Sequence, residues 1–175
     1  AAANDRTLTV NATGLTTFAG AVGSNEALLG LTTDAPGETD LKGSPINATT
    51  VDFCDAVVLT TDVTINATTA SFHQTVNADS AARKRKLTVN ASGLTTFAGD
   101  VGDNQRLLSL STDAAGTTDL NASLIQAAAV NFADAVILTT DVTVHGTTVT
   151  FGHTVDADAA ANDRTLTVNA TGLTT

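Results

Sequence analysis

Four aspartates close the same tetrapeptide, Leu-(Thr/Ser)-Thr-Asp: Asp34, Asp62, Asp113 and Asp141. Carboxylates brought together in space can hold Ca2+, a hard cation that takes oxygen ligands, or act as an acid/base pair. Nothing around them resembles an EF-hand loop or a glycine-rich calcium nonapeptide. A catalytic carboxylate is also normally unique, whereas these four recur. They are calcium candidates only, and their ordinary role is to form turns. His73, His145 and His153 stand where a second copy of the same stretch has Gly152, Asn66 and Gln74, the exchange pattern of tolerant surface sites. Cys54, the single cysteine, matches Ala133 in the same way and reads as a small filler. There is no phosphate-binding glycine loop, no Gly-x-Ser-x-Gly and no Cys/His metal spacing. We read the chain as no enzyme, with no catalytic residue and no required cofactor.

Two further groups of residues bear on partners. Asn11, Asn47, Asn66, Asn90, Asn121 and Asn169 each begin an Asn-Ala-(Thr/Ser) sequon and are candidate glycan sites. Asn also caps turns, and copying a repeat multiplies sequons without selecting for sugar. Arg83, Lys84, Arg85 and Lys86 hold four of the eight basic residues. Such a run is either a solvated corner or a contact with the acidic side of a neighbouring filament. The net charge of −10 argues against a nucleic-acid partner, which needs basic surface. No apolar run approaches the roughly 18 residues of a membrane-spanning helix, and one cysteine makes no internal disulfide.

What must position these residues is a repeat. LTVNATGLTT at 8–17 returns as LTVNASGLTT at 87–96 and again at 166–175, with the same step from Leu8 to Leu87 as from Leu87 to Leu166. Residues 1–79 overlay 80–158 without a gap and agree at more than half of their positions. Residues 159–175 begin a third copy that matches 1–17 letter for letter, which suggests a higher-order unit of two copies. Charged residues make up only 15% of the chain, while small and β-branched residues carry the 42% that is hydrophobic. That composition suits pleated sheets and excludes disorder.

All six phenylalanines fall in the pattern Phe-x-x-x-Val: Phe18/Val22, Phe53/Val57, Phe72/Val76, Phe97/Val101, Phe132/Val136 and Phe151/Val155. Apolar residues alternate with period two before four of the six Phe, as in Val51-x-Phe53 and Val149-x-Phe151, so these approaches are strands with one buried face. Midway between Phe and Val stand Gly20, Asp55, Gln74, Gly99, Asp134 and His153, all polar or Gly. A corner there, with Phe ending one strand and Val opening the next, describes a coil of a solenoid. The sequence predicts an all-β, right-handed parallel β-helix with about three irregular coils per copy and these Phe and Val residues as its core ladder. At about 4.8 Å per coil, each copy would rise about 14–15 Å. A lone coil buries about five or six apolar side chains at roughly 1.5–3 kcal/mol each. Ordering about 26 residues costs roughly 1–2 kcal/mol apiece. Only stacking makes the sum favourable. Copy one (1–79), copy two (80–158) and the start of copy three (159–175) are therefore expected to form one continuous solenoid with no independent domains. The rival is a pair of tandem immunoglobulin-like sandwiches, whose usual Trp and Cys pair is missing here.

The stretches LTVNASGLTTFAGDVGDNQRLLSLSTDAAGTTDLNA and VNFADAVILTTDVTVHGTTVTFGHTVDAD resemble repeats of giant, filamentous-haemagglutinin-like bacterial exoproteins, also described as β-strand repeat surface proteins. The resemblance implies a parallel β-helix shaft, secreted to or displayed on the surface of a Gram-negative-type cell, that serves adhesion, aggregation or matrix building. It carries over no catalytic residues. The expected function is a structural shaft segment of an extracellular filament, assembling with itself head to tail through open coil ends. An adhesin module binding glycan or matrix is the alternative, although exposed Trp and Tyr, the usual platforms for sugar, are absent.

Overall fold

The computed structural model describes residues 6–82 and 85–175. Among them there is no helix, and every strand pair is parallel. That excludes the sandwich alternative, whose sheets are antiparallel. The chain winds as a three-faced β-solenoid of eight coils.

Face I stacks β1 (Thr7–Val10), β3 (Leu28–Thr33), the end of β5 (Ile46–Phe53), β8 (Thr69–Phe72), β11 (Leu94–Phe97), β13 (Thr117–Leu120), β15 (Ala135–Leu138) and β18 (Val155–Ala157). Face II stacks β2 (Leu15–Phe18), β4 (Glu38–Leu41), β6 (Ala56–Leu59), β9 (Val76–Ala78), Val101, the start of β14 (Leu124–Phe132), β16 (Val142–Gly146) and β19 (Leu166–Ala170). Face III stacks Val22, the start of β5, β7 (Val63–Ala67), β10 (Lys86–Ala91), β12 (Leu107–Thr112), the rest of β14, β17 (Thr148–Phe151) and Thr174. Strands β5 and β14 each run across a corner and so serve two faces.

The repeat does not close on itself. From β1 to the equivalent strand β10 the chain lays down eleven faces, so one copy makes three and two-thirds coils. The coil is accordingly shorter than three coils per copy would make it. Each copy is rotated by one face against the last. Copy one's face I becomes face III in copy two (β3 and β12), and its face II becomes face I (β2 and β11). Three copies, or eleven coils, are needed before a residue returns to the same face.

This screw divides the phenylalanines. All six end a strand, as expected, but they stack in three separate sets. Phe53, Phe72 and Phe97 form a column on face I, with ring centroids 5.7 and 5.1 Å apart. Phe132 and Phe151 pair on face III at 5.8 Å. Phe18 stands on face II beside Leu41. The valines follow suit. Val57, Val76 and Val101 line face II, Val136 and Val155 face I, and Val22 face III. Val22 and Val101 contribute only isolated bridges because Gly23 (φ 65°) and Gly102 (φ 72°) turn the chain away at once. A Cβ at either glycine would overlap the carbonyl oxygen of Asn47 or Gln126 in the next coil, so Gly is required.

Candidate functional site

Inter-coil side-chain bonds occupy many of the polar residues singled out above. The four repeated aspartates are not gathered into a calcium cage. Each caps a backbone N–H of an adjacent coil: Asp34 accepts from Ala12 (2.8 Å), Asp113 from Ala91 (3.0 Å), Asp62 from Lys86 (3.0 Å) and Asp141 from Thr165 (2.8 Å). They are the acceptors for amides that leave the ladder at corners.

Two other aspartates were legible only as corner residues. Asp55 and Asp134 are buried, and each accepts two threonine hydroxyls from the coil beneath. Thr33 and Thr39 donate to Asp55 at 2.6 and 2.8 Å, and Thr112 and Thr118 donate to Asp134 at the same distances. The wide corners at 34–38 and 113–117 leave an inward threonine on either side, and the tight corner above drops a carboxylate between them. The matched spacing of Thr33 to Thr39 and Thr112 to Thr118 was the available signal.

Of the sequon asparagines, three form an amide ladder on face III. Asn90 donates to Asn66 and Asn66 to Asn47, both at 2.8 Å, and Asn47 donates to the Gly23 carbonyl at 3.0 Å. Their side-chain nitrogens are thus engaged along the shaft axis, one coil apart. Asn11, Asn121 and Asn169 are exposed.

Arg83 and Lys84 lie outside the described residues. Arg85 is held within its own corner by a two-pronged bond to Asp79, 2.8 Å on each arm. Lys86 is exposed at the start of β10. The corner recurs one copy later, where Arg164 grips Asp158 with two 3.0 Å bonds and Asn162 adds a third. The Arg164 bonds and the Asn162 bond hold the Asp158 carboxyl down at about 2, below its ordinary 3.8. A depressed carboxylate contributes stability that is complete above the unfolded value and lost as pH falls through the folded one. The corner should therefore stay closed at pH 4 and release near pH 2. Arg164→Ala should return the Asp158 titration, followed by carboxyl NMR, towards 3.8.

Cys54, read as a small filler, and His73, read as a tolerant surface position, meet in space. The pairing of Phe53 with Phe72 sets residue 73 over residue 54, and both side chains lie beside Asp52. Burial and the carboxylates of Asp52, Asp55 and Asp34 push the Cys54 thiol pKa up.

The ends of the coil are the remaining distinctive surface. Core positions that are sealed inside the shaft lie open there. Leu8 is 37% exposed while its equivalent Leu87 is 0%. Phe18 and Val22 at one end, and Phe151, Val155, Leu166 and Val168 at the other, are only partly covered. Outward leucines also recur in each copy, Leu29 with Leu108 and Leu15 with Leu94 and Leu173, and the screw sets the last three on faces II, I and III in turn. Among the described residues no helix is long and apolar enough to cross a membrane.

These features define a β-solenoid repeat module. No protein-family profile matches the chain, and neither does any curated protein or solved structure.

Proposed function

We propose that the chain is a shaft segment of a secreted or cell-surface bacterial filament, lengthened by stacking further copies of the repeat coil on coil. One observation carries this. The opening residues of copy three already lie on copy two under the same one-face advance, β19 on β16 and Thr174 on Val149. A shaft has no need of a catalytic centre, and its repeated polar residues are consumed in holding coil to coil. The extracellular setting and a role in adhesion or matrix building follow the resemblance to filamentous-haemagglutinin-like repeats.

Helical reconstruction by electron microscopy tests the shaft. Eleven faces at three per coil and about 4.8 Å per coil give a rise of about 17–18 Å per copy. Each copy should be turned by one face, with the full pattern returning after about 53 Å. A rise of about 14–15 Å would mean closed three-coil copies. Beads spaced by the diameter of a small domain would mean folded modules on a string and would overturn the stacking, whereas the rise of about 14–15 Å would overturn the one-face advance.

A further inference from the structure

One corner of face I gathers three metal-ligating side chains, and only in copy one. His73 Nε2 lies 2.8 Å from Asp52 Oδ1, and Cys54 Sγ lies 3.9 Å from Asp52 Oδ2. One ligating atom from each residue falls within 4.8 Å of the other two. Tetrahedral zinc, with bonds of about 2.0–2.3 Å, spaces its ligand atoms roughly 3.3–3.6 Å apart. The three atoms therefore surround a volume of the right size for one ion after small side-chain rotations. His73 and Asp52 keep 47% and 34% of their side chains exposed, which leaves an entry path and room for water in a fourth position.

A second observation comes from the repeat. Copy two has Asn131, Ala133 and Gly152 at the equivalent positions. All three ligating groups are present in one copy and all three are missing in the other, at positions that register alone brings together. The aromatic pair beside them is kept: Phe53 and Phe72 match Phe132 and Phe151, with ring centroids 5.7 and 5.8 Å apart.

We propose that Asp52, Cys54 and His73 form a site for one borderline divalent cation, of which Zn2+ is the natural occupant. A thiolate, an imidazole and a carboxylate are the donor types zinc takes, and a single carboxylate is too few oxygens for Ca2+ or Mg2+. Asp34 lies one register step below Cys54, and Asp55 follows it in sequence, so the surroundings favour a cation. On binding, the Cys54 thiol releases its proton to solvent and the thiolate sulfur bonds the ion, with no change of oxidation state. The ion would staple the third and fourth coils across an exposed corner.

The test uses the whole chain in a non-thiol reductant, titrated first with Co2+ and then with Zn2+. The expected result is a thiolate-to-cobalt charge-transfer band that saturates at one ion per chain and is displaced by zinc. Since Cys54 is the only cysteine, the band can arise nowhere else. The triple variant Asp52→Asn, Cys54→Ala, His73→Gly copies what copy two already tolerates, so it should keep the strand signal and lose the zinc. His73→Gln alone should weaken binding by more than about tenfold, the scale on which even supporting residues of metal sites act. No band at millimolar cobalt, or an unchanged affinity in His73→Gln, would overturn the site.

Discussion

Asp134→Ala is expected to lower the stability of the chain by about 2–4 kcal/mol, the net of two charge-assisted hydrogen bonds at roughly 1.5–3 kcal/mol each and the relief of desolvating a carboxylate. Thr112 and Thr118 would be left with inward hydroxyls and no acceptor at a corner closed to water. For a chain of this length the midpoint of thermal unfolding should fall by roughly 5–15 °C. Asp134→Asn keeps one acceptor oxygen and offers an amide to the second hydroxyl, so its loss should be smaller. Thr118→Val removes one bond at nearly constant volume and should lie between the wild type and Asp134→Ala. Asp55 repeats the arrangement one copy away, about 17–18 Å along the axis, so Asp55→Ala should add to Asp134→Ala within about 0.5 kcal/mol. Chemical denaturation of the four variants and the double reads this directly. If Asp134→Ala unfolds within 0.5 kcal/mol of the wild type, on the order of a neutral surface change, the clamps are incidental to stability.

Leu8→Lys is expected to abolish end-to-end association while leaving the fold of the chain intact. In the first coil of this chain Leu8 is 37% exposed, and a lysine there can reach water. Within a lengthened shaft the same position is occupied by Leu87, which is fully buried. Assembly would then bury an ammonium group with no partner, at a cost of several kcal/mol. Each 1.4 kcal/mol is about a factor of ten, so association should weaken by more than about a hundredfold. Leu15→Lys is the matched control. Its internal equivalent Leu94 stays 40% exposed, so a charge there points outward whether or not the shaft grows. Sedimentation velocity on the two variants, with circular dichroism for strand content, distinguishes them. If Leu8→Lys associates like the parent, or the parent does not associate at all, the ends are not the assembly surface.

How much of this was legible in the residues follows from what a pattern of alternation encodes. Val51-x-Phe53 and Val149-x-Phe151 declare which side chains face inward, because successive residues of a strand point to opposite sides. The polar or glycine midpoints between Phe and Val declared the corners, and all six Phe do end strands. The solenoid itself followed, since a single coil cannot offset its own ordering entropy. Alternation along one strand carries no information about which strand lies above it. Stacking therefore had to be inferred from landmark counts, and counting Phe-x-x-x-Val gave three coils per copy because β1, β3, β4 and β7 carry neither the Phe nor the Val of that pattern.

The sequence by itself determined the class of structure, the length of the repeat, the inward residues and the corners, all of which are set by local geometry and burial. Only the tertiary structure decided the eleven faces per copy and, through them, every contact between coils. It set Asp55 and Asp134 between threonines, linked Asn47, Asn66 and Asn90 into a ladder, and brought Cys54 and His73 together over Asp52. The reason is that residues a coil apart in sequence become neighbours only when the number of strands per turn is fixed. That number depends on how each corner bends the backbone, and the bend is settled by packing against the coil beneath.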